Sequence, residues 1–210
     1  AYKRQARKYK RFLKRMSAVT GVNEGKKTRK ILYDINEIYE PLSSIVLHNL
    51  PLPKGVTMRD MEVMRQLADW NYHHQFRGKE MGRLTGGPFV GEVIKRFANF
   101  IDKRGKARKF YLYSGHQRTL LGLEAALGIE TVRTKGPLLD GRVPALGSHY
   151  DFELHEVKKG DFSVKLKFVD GDNETTIRVP GCNSDMCGLE QFRKATAAVV
   201  PKDWRAECSS

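Results

Sequence analysis

Apolar residues recur along this chain with helical spacing first and strand spacing later. Tyr9, Phe12, Leu13 and Met16 fall at i, i+3, i+4 and i+7, one stripe of a helix over residues 2–18 whose other face is basic. Ile31, Leu32, Ile35, Ile38 and Tyr39 predict a second helix, which Pro41 should end or bend. Thr57 followed by Asp60 is a variant of the capping box. It starts a third helix, with Met58, Met61, Met64, Leu67 and Ala68 on its buried face. A fourth opens at Gly86-Gly87-Pro88, with Phe89, Val90, Val93, Ile94, Phe97 and Ile101 facing the core.

The pattern changes at Phe110-Tyr111-Leu112-Tyr113. Four β-prone residues run into Ser114-Gly115, then His116-Gln117, then an apolar helical run to Leu127. The expected unit is a buried strand, a tight turn and a helix. Ligand sites of open α/β sheets lie at such strand ends, and a helix N-terminus there favours an anion such as phosphate. The simpler alternative is a strand–helix joint whose surface His caps the helix. A long loop carrying Gly136-Pro137, Gly141 and Pro144 follows, then strands near 151–157, 162–169 and 175–179. Val164, Leu166 and Phe168 alternate with Lys165 and Lys167, so the middle strand is buried on one face. The last helix spans about 188–198, with Leu189, Phe192 and Ala195 inward. Residues 1–105 are thus mostly helical, and 106–210 form a mixed α and β region.

Charge alters this picture at one end only. Residues 1–30 hold twelve Lys and Arg against Glu24 alone, contributing +11 of the formal +14. Such a segment attracts nucleic acid or anionic membrane through counterion release. The apolar stripe beside it favours a solvated basic helix face packed on a body, with nucleic acid the less favoured partner. Forty per cent apolar residues exclude a disordered chain, and no run reaches the ~18–20 apolar residues of a membrane span.

Chemistry-bearing residues are few. His73 and His74 are adjacent, so on a helix they point in different directions and cannot share a metal; no metal site is predicted. Of three cysteines, Cys182 and Cys187 sit in one Gly/Asn/Ser/Asp loop, close enough to close a small ring. A zinc site would need two further ligands nearby. Cys208 is left over. Asn173-Glu174-Thr175 is an N-glycosylation sequon in a turn-like stretch.

Tyr113-Ser114-Gly115-His116, Thr119-Leu120 and Ala126-Leu127-Gly128 resemble the second signature of the histidine acid phosphatases. Ser148 with Phe152-Glu153-Leu154, Gly181-Cys182, Cys187-Gly188-Leu189-Glu190-Gln191-Phe192, and Pro201, Asp203-Trp204 and Glu207-Cys208 resemble that family's later segments. Tyr39-Glu40-Pro41-Leu42, His48-Asn49, and Arg83-Leu84 with Gly86-Gly87 are similar to its cap region. The resemblance implies an α/β fold. A helical cap over 1–105 precedes the C-terminal part of a phosphoglycerate mutase-like core, with a mixed sheet, over 106–210. It implies phosphoric monoester hydrolysis through a phosphohistidine, with no cofactor. His116 corresponds to the His that holds phosphate oxygens.

Two departures qualify that activity. The family's nucleophile lies in an R-H-G-x-R-x-P motif, and these 210 residues contain none. Gln117 stands where the family has an acid that protonates the leaving group, and an amide cannot do so. The resemblance also implies a Cys182–Cys187 disulfide, and a partner for Cys208 in a preceding N-terminal segment. A second family bridge maps to Ser44 and Ser148, both now serine. The expected protein is therefore phosphatase-like but catalytically incomplete as this chain alone. The alternatives are a non-catalytic pseudoenzyme or structural subunit, and a basic binding module. The expected partners are phosphate or a phosphomonoester, and an N-terminal phosphatase segment, another chain or a second copy covering the exposed sheet edge. The expected setting is the secretory pathway, lysosomal or extracellular, with or without membrane association.

Overall fold

A computed structural model describes residues 1–76, 78–103, 106–129 and 143–209. It divides into two compact units, Ala1–Gln75 and Phe76–Ser210.

The first unit is helical: α1 (Tyr2–Lys8), α2 (Lys10–Thr20), α3 (Thr28–Tyr33), α4 (Ile35–Leu47) and α5 (Met58–Gln75). The helix expected over 2–18 is broken at Tyr9, whose φ of −103° and ψ of 19° leave the helical region. Its stripe still points inward. Leu13 and Met16 are fully buried with Ile31, Leu32, Ile35, Met64 and Leu67, while Tyr9 and Phe12 pack at the margin. Lys3, Arg4, Arg7, Lys8, Lys10, Arg11 and Lys14 are exposed.

Pro41 does not end its helix; α4 runs through it to Leu47. Pro41 is exposed, so water can satisfy the carbonyl its missing N–H leaves. The break falls instead at buried Asp34, which accepts from the Asn23 amide at 2.9 Å and pairs with Lys30 at 2.5 Å.

The capping box at α5 is formed. Asp60 accepts from the Thr57 N–H at 2.9 Å, and the Asp60 N–H donates to Thr57 Oγ1 at 3.2 Å. Arg15 pairs with the same carboxylate and, with the Thr57 hydrogen bonds, lowers its pKa to about 2. Met58 is a correction: it is 61% exposed. Each three-residue step falls about 60° short of a full turn, so three such steps leave Met58 roughly opposite Leu67.

The second unit comprises α6 (Lys79–Thr85), α7 (Gly87–Asp102), α8 (Gln117–Leu127), β1 (His149–Lys158), β2 (Asp161–Asp170), β3 (Asn173–Ile177), β4 (Met186–Gly188), α9 (Leu189–Thr196) and α10 (Trp204–Cys208). The sheet order is β1-β2-β3, with β4 also on β2, and every ladder is antiparallel. Tyr150 opposite Phe168, Phe152 opposite Leu166 and Leu154 opposite Val164 supply the inner face, while Glu153 opposite Lys165 lies on the outer one. That inner face packs on Val90, Leu123, Ala126, Leu127 and Ile129 of the helical layer and on Phe192 of α9. Each such large side chain contributes roughly 1.5–3 kcal/mol by burial.

Two glycines bring the helices unusually close. A Cβ on Gly82 would lie 2.5 Å from the backbone of Ala125, and one on Gly86 only 2.2 Å from the carbonyl oxygen of Gly122. This close approach places α6 and α7 with the second unit, and the compact units divide at 75/76, whereas the element pattern and the family resemblance drew a boundary at 105/106. Arg83, which the resemblance assigned to the cap region, fastens the C-terminal tail. Its guanidinium grips the Glu207 carboxylate at 2.6 and 2.8 Å, and Trp204 Nε1 donates to the Leu84 carbonyl at 2.7 Å. The expected loop with Gly136-Pro137 and Gly141 falls in 130–142, outside the described residues.

Candidate functional site

The stretch from Phe110 to Leu127 folds differently from expectation on its strand side. Residues 110–113 join no ladder, and Phe110 and Leu112 are 78% and 81% exposed. A strand needs a neighbour to satisfy its N–H and C=O groups, and an apolar face needs a second layer. Among the described residues, the antiparallel sheet pairs only segments within 149–188, which leaves 110–113 without a neighbouring strand and Phe110 and Leu112 without a covering layer.

The helix side is as expected. α8 begins at Gln117, with His116 as its N-cap in an extended backbone conformation, φ −105° and ψ 166°. The His116 N–H donates to Thr119 Oγ1 at 3.2 Å, and the His116 carbonyl accepts the Thr119 N–H at 2.8 Å. Ser114 and Gly115 lead irregularly into the helix, with no hydrogen-bonded turn of their own, and a Cβ on Gly115 would already sit 3.1 Å from Thr119. His116 is exposed and Gln117 half-buried, so both are accessible at the positive end of the helix. α8 itself is held from behind, because Tyr150 on β1 donates to buried Glu124 at 2.9 Å.

Beside the approach to His116 lies a group that the sequence reading missed. Arg96 on α7 stacks over the Tyr111 ring at 4.6 Å, donates from Nε to the Tyr113 hydroxyl at 3.3 Å, and pairs with Glu92 at 2.5 Å. The Tyr113 hydrogen bond is the largest cause of a raised Arg96 pKa. Phe89 meets Tyr113 edge-on at 5.0 Å. The i,i+4 spacing of Glu92 and Arg96 was the available signal.

The other chemistry-bearing residues lie apart from His116 in sequence and in role. Cys182 and Cys187 are bonded, with Cα atoms 5.4 Å apart, and Cys208 is an exposed free thiol in α10. Asn173 is exposed as the first residue of β3, where the β2–β3 hairpin turns. Ser148 donates to Asp170 at 2.7 Å. On the outer sheet face, Glu153 contacts His155 at 2.9 Å and Lys167 at 3.0 Å; burial raises its pKa, but these partners bring the net shift downward. His74 stacks on Trp70 at 4.1 Å in the first unit. Among the described residues, no three of His, Cys, Asp and Glu gather as a metal site would require. Nor is any helix there long and apolar enough to cross a membrane.

A family model of the histidine phosphatase superfamily, branch 2, matches residues 3–169. The chain belongs to that superfamily. It is 29% identical to prostatic acid phosphatase of Rattus norvegicus over 95% of its own length and 50% of the relative's. It is 30% identical to lysosomal acid phosphatase of Bos taurus over 89% of its length and 43% of the relative's. For prostatic acid phosphatase of Homo sapiens the identity is 28%, over 99% and 51%. The chain therefore spans about half the length of the curated relatives it matches. Both halves of the described architecture, helical and sheet-bearing, fall within these matches.

Proposed function

We propose that this chain is the His116-bearing part of a histidine acid phosphatase-type site, which would act on phosphoric monoesters, and that residues 1–210 by themselves are catalytically incomplete. The observation that carries the reading is His116, exposed at the N-cap of α8 within the matched region. An accessible imidazole beside a helix N-terminus suits phosphate oxygens. In the resembled mechanism a separate His attacks phosphorus, cationic groups hold the growing negative charge, and an acid protonates the leaving oxygen. Only the holding role maps onto this chain. Gln117 occupies the acid's place, and loss of a general acid costs roughly 10²–10⁴-fold.

Completion would come from a segment bearing the R-H-G-x-R-x-P motif. Phe110 and Leu112 offer it an apolar face, and Cys208 a thiol to bond. A second copy of the chain covering that face, as a homodimer, is the competing occupant. The Cys182–Cys187 disulfide and the Asn173 sequon support a glycoprotein of the secretory pathway, in a lysosomal or extracellular setting. Gln117 favours one second reading, a pseudoenzyme that keeps the fold without turnover.

A p-nitrophenyl phosphate assay tests both, run on the chain alone and with a family N-terminal segment added in trans. The chain alone should be inactive; the mixture should show weak turnover that His116→Ala removes. Inactivity of the mixture would favour the pseudoenzyme. Robust hydrolysis by the chain alone, unchanged in His116→Ala, would place the chemistry elsewhere and defeat the proposal.

A further inference from the structure

The stretch leading into His116 has no ladder to hold it, yet it does not lie free of the protein. Tyr111 and Tyr113 turn toward α7, while Phe110 and Leu112, one step away from each, are 78% and 81% exposed. The group that makes this division is the Arg96 guanidinium. It stacks at 4.6 Å over one ring, donates at 3.3 Å to the hydroxyl of the other, and is paired to Glu92 at 2.5 Å. The Tyr113 hydroxyl in turn reaches the same Glu92 carboxylate at 3.4 Å. Phe89, from the first turn of α7, packs edge-on against Tyr113 at 5.0 Å and tilts toward Phe152 of the sheet at 6.2 Å. Arg96, together with Glu92 and Phe89, thus ties to α7 a segment that joins no ladder.

We infer that Arg96 is a positioning residue for His116, acting through Tyr111 and Tyr113. Only Ser114 and Gly115 separate Tyr113 from His116, and Gly115 lies close against the Thr119 side chain. A displacement of Tyr113 has little chain in which to be absorbed, so it passes to the N-cap. The residue type matters. A planar guanidinium stacks with its face while its edge donates to a hydroxyl and a carboxylate; an ammonium cannot do both. The same clamp decides which side of 110–113 is presented outward, so it also orients the face offered to any covering segment. Its consequence for phosphate rests on the reading of His116 given above; the clamp itself rests on geometry alone.

The test is NMR of the 210-residue chain, reading the His116 imidazole resonances and the backbone order parameters of 110–116. In Arg96→Gln, the order parameters across 110–115 should fall from near the rigid value of about 0.85 to below about 0.6, while those within α7 and α8 stay as in wild type. The His116 imidazole resonances should shift. Arg96→Lys should restore little, and Tyr113→Phe should reproduce part of the effect. Unshifted His116 resonances in Arg96→Gln overturn the inference, whatever the order parameters do; full restoration by Arg96→Lys overturns the stacked geometry as its cause. A titration with inorganic phosphate separates this result from the functional reading. If His116 binds phosphate, Arg96→Gln should weaken it about tenfold. If the wild type shows no phosphate response at His116, the phosphatase reading fails, and the resonance and order-parameter measurements still decide the clamp.

Discussion

Gly86→Ala probes the helix packing that carries His116. The added Cβ would lie 2.2 Å from the Gly122 carbonyl oxygen, 2.5 Å from its carbon and 2.7 Å from Leu123 Cα, where ordinary contact begins near 3.4 Å. All three atoms are backbone, so no side chain can rotate away, and α8 must move outward by about an ångström. Overpacking of this kind costs typically 1–3 kcal/mol, and the absence of a flexible neighbour argues for the upper part of that range. Against it, alanine in place of glycine returns about 0.4–1 kcal/mol through the unfolded chain, since Gly86 has a φ of −104° that alanine adopts without strain. The net expectation is a loss of about 2 kcal/mol, read by urea denaturation with amide exchange in α8 as the local reporter. Gly188→Ala is the matched control, because its Cβ meets nothing within 4 Å and its φ is −50°. If Gly86→Ala melts with wild type and with Gly188→Ala, the close approach of the helices is not what holds α8, and the reasoning fails.

Asp60→Asn should cost about 1–2 kcal/mol at neutral pH, the Arg15 pair and the depressed carboxyl pKa of about 2 being lost together. A depressed folded-state pKa contributes above the unfolded value of 3.8 and fades as pH falls toward 2, so the variant and wild type should converge in denaturant melts taken across that window. Cys182→Ser with Cys187→Ser should lower stability by about 2 kcal/mol, the loop entropy expected for cysteines only five residues apart, and wild type under reductant should match it. Gln117→Asp, assayed with the N-terminal segment supplied, should raise turnover more for an alkyl than for an aryl phosphate, because only the alkoxide needs its proton to leave. Equal gains on both substrates would show that position 117 does not protonate the leaving group.

Much of the chain declares its structure within a few residues. The Thr57–Asp60 box, the inward stripe of Leu13 and Met16, and the alternation of Val164, Leu166 and Phe168 are short-range patterns, and the folded chain keeps them. The start of α8 at His116 is equally local, because an N-cap is made by a residue and its neighbour three positions on. The motif residues around His116 carried the family as well. What local pattern could not decide was whom each element meets. Residues 110–113 have the composition of a buried strand, but burial and pairing belong to a partner surface, and the described residues supply none. Gly86-Gly87 read as a helix opening; that Gly86 admits the backbone of Gly122 depends on two helices crossing. The i,i+4 spacing of Glu92 and Arg96 would have allowed a helical ion pair to be read, but not the reach of Arg96 to Tyr111 and Tyr113. Hydrogen-bond periodicity and capping are settled over one turn of chain, whereas packing partners are chosen among segments far apart in sequence, and only the tertiary structure makes that choice.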